Sequence, residues 1–101
     1  RKEVSQSQDF QEKLASLRAK IDVIDNQLLD ILGKRMKVAD DIGEVKKEKN
    51  VAILQSTRWN EILGKMILDG KEHNLSEEFI LKIFKAIHQE SINHQEKILN
   101  E

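Results

Sequence analysis

The sequence predicts an all-α fold, and three observations carry that expectation. The 101 residues include no Pro and only four Gly, so little interrupts a helix. From Leu14 onward apolar residues recur in steps of three and four, the spacing of one helical face. Ser56 and Ser76 stand where helix N-caps are needed, ahead of new apolar periods. Composition narrows the class further. With 39% apolar and 35% charged residues, the chain has enough apolar surface to fold and too balanced a charge for wholesale disorder. Seventeen Lys and Arg against eighteen Asp and Glu leave no basic excess for nucleic acid. The absence of Cys removes disulfides, thiolate chemistry and Cys-based zinc sites. No apolar run approaches the roughly 20 residues of a membrane span, and no signal peptide is visible. A soluble, cytoplasmic domain, cut from something longer because it opens on Arg1, is the expectation.

The elements follow in order. Residues 1–13 are polar, lack a sustained apolar period and read as a linker or frayed helix start, leaving 14–101 as the domain. Leu14, Leu17, Ile21, Ile24, Leu28, Ile31, Val38, Ile42 and Val45 then form a heptad seam. A helix from about 10 to about 48 is roughly 58 Å long. A chain of this size cannot surround such a rod, so a second copy is expected to cover the stripe in an intertwined homodimeric bundle. Glu48–Asn50 ends the pattern, and Val51–Leu54 reads as a connector. A second, short helix is expected over about 57–69, capped by Ser56, with Ile62, Met66 and Ile67 inward and Gly70 closing it in a left-handed conformation. Ser76 caps a third, medium helix running to about 98. Glu77 and Glu78 lie in its first turn, Leu75 is placed to staple onto Ile80, and Phe79, Ile80, Ile83, Phe84, Ile87 and Ile98 are its apolar members.

The chemistry lies where these stripes are interrupted. Arg35 occupies a seam position where Leu or Ile is expected. A desolvated guanidinium needs an anionic partner, either a carboxylate of the protein that sets helix register or a ligand. Lys46 lies eleven residues on, only about 20° away around the helix and about 16 Å along it. It reads either as a solvated lysine or as a second cation leaning over the same anion. Ser91 and Gln95, four apart on one face of the third helix, turn an apolar stripe polar near its end. They are open to a plainer reading as a back-bonded serine and a frayed glutamine. Arg18 flanks the seam about 25 Å from Arg35 along the helix, so both reach one small ligand only if Arg18 comes from the other chain. No Ser/His/Asp arrangement is present. His73, His88 and His94 lack metal-ligand spacing, and His88 and His94 diverge around their helix. Inward cations and amides without a nucleophile or evident base suit a small dianion whose chemistry needs positioning and charge stabilisation.

Taken together, Leu17-Arg18-Ala19-Lys20-Ile21-Asp22, Leu28-Leu29 through Lys34-Arg35, Gly43-Glu44-Val45-Lys46, Arg58, and Ser91 with Gln95 resemble a chorismate mutase of the all-α (AroQ) class. The resemblance spans about residues 14–96. It is closest to the mutase domain attached C-terminally to 3-deoxy-7-phosphoheptulonate (DAHP) synthase in some bacteria. It implies a Claisen rearrangement of chorismate to prephenate, without cofactor, metal or covalent intermediate. On that resemblance Arg18 of the partner chain and Arg35 hold the two carboxylates, Arg58 and Ser91 assist, and Lys46 and Gln95 donate to the ether oxygen. One position departs from the pattern. Many members carry an acidic residue just after the second-helix arginine, contacting the ring hydroxyl; here it is Trp59, which cannot accept a hydrogen bond. Gln55, one turn earlier, is able to accept and is taken as a substrate contact. Isochorismate-pyruvate lyase, built on the same scaffold, and a non-catalytic dimerisation or effector-binding module are the competing readings.

Overall fold

The computed structural model describes the backbone of residues 2–53 and 55–101 and, Leu54 and Ser56 apart, the side chains from Ser7 onward. Every element among these residues is a helix: α1 (Lys2–Lys49), α2 (Ser56–Glu72) and α3 (Glu77–Leu99). None of the three is long and apolar enough to cross a membrane. The chain divides after Lys34 into two units, and each is described by itself.

The first unit is α1 up to Lys34. Residues 2–13 are helical and continue into the heptad region without a break. The seam is bare: Leu17, Ile24 and Ile31 are 55%, 59% and 61% exposed.

The second unit, Arg35–Glu101, holds the end of α1 together with α2 and α3. Its helix ends are built as the local chemistry requires. Ser76 sits in extended conformation, and its side chain accepts the Phe79 N–H at 3.2 Å, while Glu77 and Glu78 lie where the helix dipole favours acids. α2 is capped one residue earlier than expected. Gln55 is its N-cap, with no side-chain cap bond, and the backbone of Ser56 is already helical. Gly70 is not the left-handed terminator either. It lies inside α2, which runs on to Glu72, and Asn74 takes the positive φ of 60° instead. The Leu75 N–H reaches the Gly70 carbonyl at 2.9 Å and the Asn74 N–H reaches Lys71 at 3.1 Å, the paired bonds of a Schellman ending. α1 stops in the same way: Asn50 has φ 55° and the Val51 N–H returns to the Lys46 carbonyl at 2.9 Å. Asn tolerates this conformation better than other side-chain-bearing residues, so both turns form without glycine.

Gly70 serves a different purpose, close approach. A Cβ there would come within 2.7 Å of the Ile80 side chain, which is 3% exposed, and 3.8 Å from Leu75. Leu75 and Ile80 therefore converge on this glycine, the arrangement a hydrophobic staple demands. Ile62, Met66, Ile67, Ile83, Phe84, Ile87 and Ile98 are half-buried. Phe79 is exposed, and Ile80, one residue or 100° further round, takes the inward position. Val38, Ile42 and Val45 are exposed as well, and the buried apolar side chains among the described residues are Ala39 and Ile80.

α3 is fastened to this end of α1 by His94. Its Nδ1 lies 2.8 Å from Asp40 Oδ1, and its Nε2 lies 3.2 Å from Glu90 Oε2 one turn back. The Asp40 hydrogen bond, with smaller help from the charges of Asp40 and Glu90, holds the imidazole pKa above its usual 6.5. Both nitrogens donate when the ring is protonated. A folded-state pKa above the unfolded value gives stability that is complete below about 6.5 and lost as pH rises through the raised value. The difference in urea midpoint between the parent chain and His94→Gln is therefore expected to be largest near pH 6 and to shrink toward pH 8. A difference that does not vary with pH would contradict the charged clamp.

Candidate active site

The second unit encloses a cavity of about 430 Å³ between the end of α1, the connector and the facing sides of α2 and α3. Its apolar walls include Val38, Ala39, Ile42, Ile62 and Ile92, and its polar lining is Arg35, Lys46, Gln55, Arg58, His88, Ser91 and Gln95. Three cations thus face one small space, and among the described residues no Asp or Glu lines it.

Two of these cations, Arg35 and Lys46, are held by neutral groups. Arg35 Nη1 donates to Ser91 Oγ at 2.7 Å, and the Ser91 hydroxyl lies 3.8 Å from Met36 Sδ. Lys46 Nζ donates to Gln95 Oε1 at 2.8 Å and to the Ile53 carbonyl at 2.6 Å. The ion pairs among the described residues include neither Arg35 nor Lys46. Burial lowers the Lys46 pKa, and no nearby carboxylate offsets that effect. Dipoles fix the positions of these charges while leaving them uncompensated, so an anion entering the cavity finds preorganised donors.

The local fold explains why the donors stand where they do. The chain turns at Asn50 and comes back over the last turn of α1, so the Ile53 carbonyl meets the lysine whose own carbonyl receives the Val51 N–H. Ser91 and Gln95 are both 7% exposed, and each supplies one acceptor to one cation. With its carbonyl turned to Lys46, Gln95 keeps its amide NH₂ as the remaining donor. Gly43 lets α3 come this close. A Cβ there would lie 3.1 Å from Gln95 Cα and 3.3 Å from Ile98 Cβ, tighter than side-chain contacts normally allow.

Of the seven residues singled out in the sequence, Lys46, Gln95, Arg35, Arg58, Ser91 and Gln55 line this one cavity. Arg18 lies in the first unit and is not among the lining residues. Trp59 and His88 also line it, with their rings stacked at 4.0 Å between centroids and 16° between planes. The sequence reading compared His88 only with His94 and so missed it. The signal was present: His88, Ser91 and Gln95 fall at i, i+3 and i+7 on one face. Burial, followed by the charges of Arg35 and Lys46, lowers the His88 pKa. Among the described residues no three His, Asp or Glu side chains converge to hold a metal ion.

Comparison with known proteins finds relatives over most of the chain. The family described as chorismate mutase type II matches residues 17–96. A chorismate mutase of Methanocaldococcus jannaschii is 34% identical over 90 residues, covering 89% of this chain and 91% of that protein. A bifunctional chorismate mutase/prephenate dehydratase of Buchnera aphidicola is 36% identical over 87 residues, 86% of this chain. Its Escherichia coli counterpart is 30% identical over 88 residues, 87% of this chain. The matched region is only 23% of each bifunctional protein. These fused relatives join a mutase to a dehydratase, so they lend no support to the expected attachment to a DAHP synthase. The chain belongs to the chorismate mutase type II family.

Proposed function

We propose that the second unit's cavity rearranges chorismate to prephenate, a step of aromatic amino acid biosynthesis, with Arg35, Lys46, Arg58, Ser91 and Gln95 as its working residues. The supporting observation is a cavity lined by three cations and no carboxylate. Chorismate carries two carboxylates, one on the ring and one on the enolpyruvyl arm. Its rearrangement breaks the ether C–O bond and forms a C–C bond within one molecule. No proton need move, which fits a site with no evident general base.

Arg35 and Arg58 are assigned to carboxylate binding, with Ser91 fixing the Arg35 guanidinium so that its other N–H groups face the substrate. Holding both carboxylates selects the folded, chair-like conformer in which the two carbons that bond lie near each other. Lys46 and the Gln95 amide are assigned to the ether oxygen, which gains negative charge as the C–O bond lengthens. Donors fixed in advance favour that state over bound chorismate. Gln95 donates without being protonated, so it imposes no acidic requirement.

The second carboxylate is assigned an additional ligand, Arg18 from another copy of the chain. Two features support this. The heptad seam that carries Arg18 is bare in a single chain, and contiguous apolar surface of this kind marks a protein interface. A twofold dimer would supply one Arg18 to each of two sites.

Conversion of chorismate by the purified chain, with prephenate as product, tests the reading; salicylate plus pyruvate from isochorismate would instead mark the lyase. Lys46→Ala is expected to lower kcat by about 10²–10³, the size seen when an oxyanion donor is removed. Turnover like that of the parent chain would remove Lys46 from the reaction. Arg18→Ala and Arg35→Ala are each expected to fold but to be inactive. Mixed in equal amounts and allowed to exchange subunits, they are expected to recover about a quarter of parental activity, because half the dimers are mixed and each mixed dimer keeps one intact site. No recovery after demonstrated exchange would contradict the shared site.

A further inference from the structure

The cavity's hydrogen-bonding groups are unevenly divided. Arg35, Lys46 and Arg58 only donate. The acceptors that face them are already engaged: Ser91 Oγ receives Arg35, while Gln95 Oε1 and the Ile53 carbonyl receive Lys46. That suits the carboxylates and the ether oxygen of chorismate, which only accept. The ring hydroxyl is the one substrate group with a proton to donate at neutral pH, and it needs a lone pair.

Two side chains of the lining carry an acceptor that receives no cation, Gln55 and His88. They are held differently. Gln55 is exposed at the N-terminus of α2 and makes no side-chain capping bond. His88 is half-buried on α3, with its ring plane set by the parallel stack on Trp59. His94 has Asp40 and Glu90 at its two nitrogens, whereas His88 has no side-chain hydrogen-bond partner among the described residues. The charged groups lining the cavity with it are Arg35 and Lys46 on α1 and Arg58 on α2, with no carboxylate among them. These surroundings favour the neutral ring, which keeps one nitrogen as an acceptor.

We infer that His88, held in plane by Trp59, accepts the hydrogen bond of the substrate's ring hydroxyl and so selects hydroxylated substrate. In this arrangement Trp59 orients the ring and makes no polar contact of its own. The inference rests on the proposed mutase activity and adds to it a residue that distinguishes substrates.

The test compares kcat/KM for chorismate and for its analogue lacking the ring hydroxyl, using the full chain and the variants His88→Leu, His88→Asn and Gln55→Ala. The parent chain is expected to prefer chorismate by about tenfold, the value of one buried hydrogen bond. His88→Leu is expected to remove that preference by losing activity on chorismate alone. His88→Asn, which keeps an acceptor, is expected to retain most of it, and Gln55→Ala is expected to leave it intact. A parent chain without preference would overturn the inference whether or not any variant folds. So would a preference that survives in His88→Leu or disappears in Gln55→Ala. If the parent chain leaves chorismate unchanged, the mutase reading itself fails, an outcome distinct from these.

Discussion

Arg35 and Lys46 point into a half-enclosed space, and the described residues give neither a carboxylate. A charge withdrawn from water without a counterion is costly, and the rest of the second unit is arranged around that cost. Ser91 and Gln95 are polar residues buried on an otherwise apolar stripe because each supplies a neutral acceptor to one cation. Gly43 is needed because a larger residue would push α3 away from α1 just where Gln95 must reach Lys46. The Asn50 turn brings the Ile53 carbonyl onto the lysine from the other side. Each of these features holds a charge in place without neutralising it. A site built for a dianion requires that, because a resident carboxylate would compete with the substrate for the same donors.

The same logic accounts for how little of the chain is buried. Buried apolar side chains in the described residues amount to Ala39 and Ile80, and the seam from Leu17 to Ile31 is open. A helix whose apolar stripe runs over several turns draws its stability from whatever covers that stripe rather than from its own propensities. On the proposal above, assembly and activity would depend on one surface, since Arg18 flanks the seam that would pair two copies.

Much of this was legible in the sequence because interruptions of a strong period stand out. Arg35 breaks the heptad seam, Ser91 and Gln95 break the α3 stripe, and helical spacing places them without knowledge of tertiary structure. Gly70 and Ser56 misled for a physical reason: local signals name residues able to end or start a helix, while packing decides which one does. Asn74 and Gln55 took those roles, and Gly70 was needed where Ile80 presses against α2. The Trp59–His88 stack was not legible, because it joins residues 29 positions apart on two helices and depends on the angle at which those helices meet. Even so, the spacing of His88 to Ser91 and Gln95 placed it on the cavity face.

The central claim, that Arg35 is kept for the ligand and not for the fold, is tested by the stability of Arg35→Met with and without prephenate. Without ligand, the variant is expected to match or exceed the parent chain, as replacing an uncompensated charge by an apolar side chain of similar length should. With prephenate at about 100 times its Kd, the parent chain should gain about 2.7 kcal/mol and the variant almost nothing. A ligand-free variant less stable by about 3–5 kcal/mol, the cost of breaking a buried structural pair, would show that Arg35 holds the fold together and would contradict the claim.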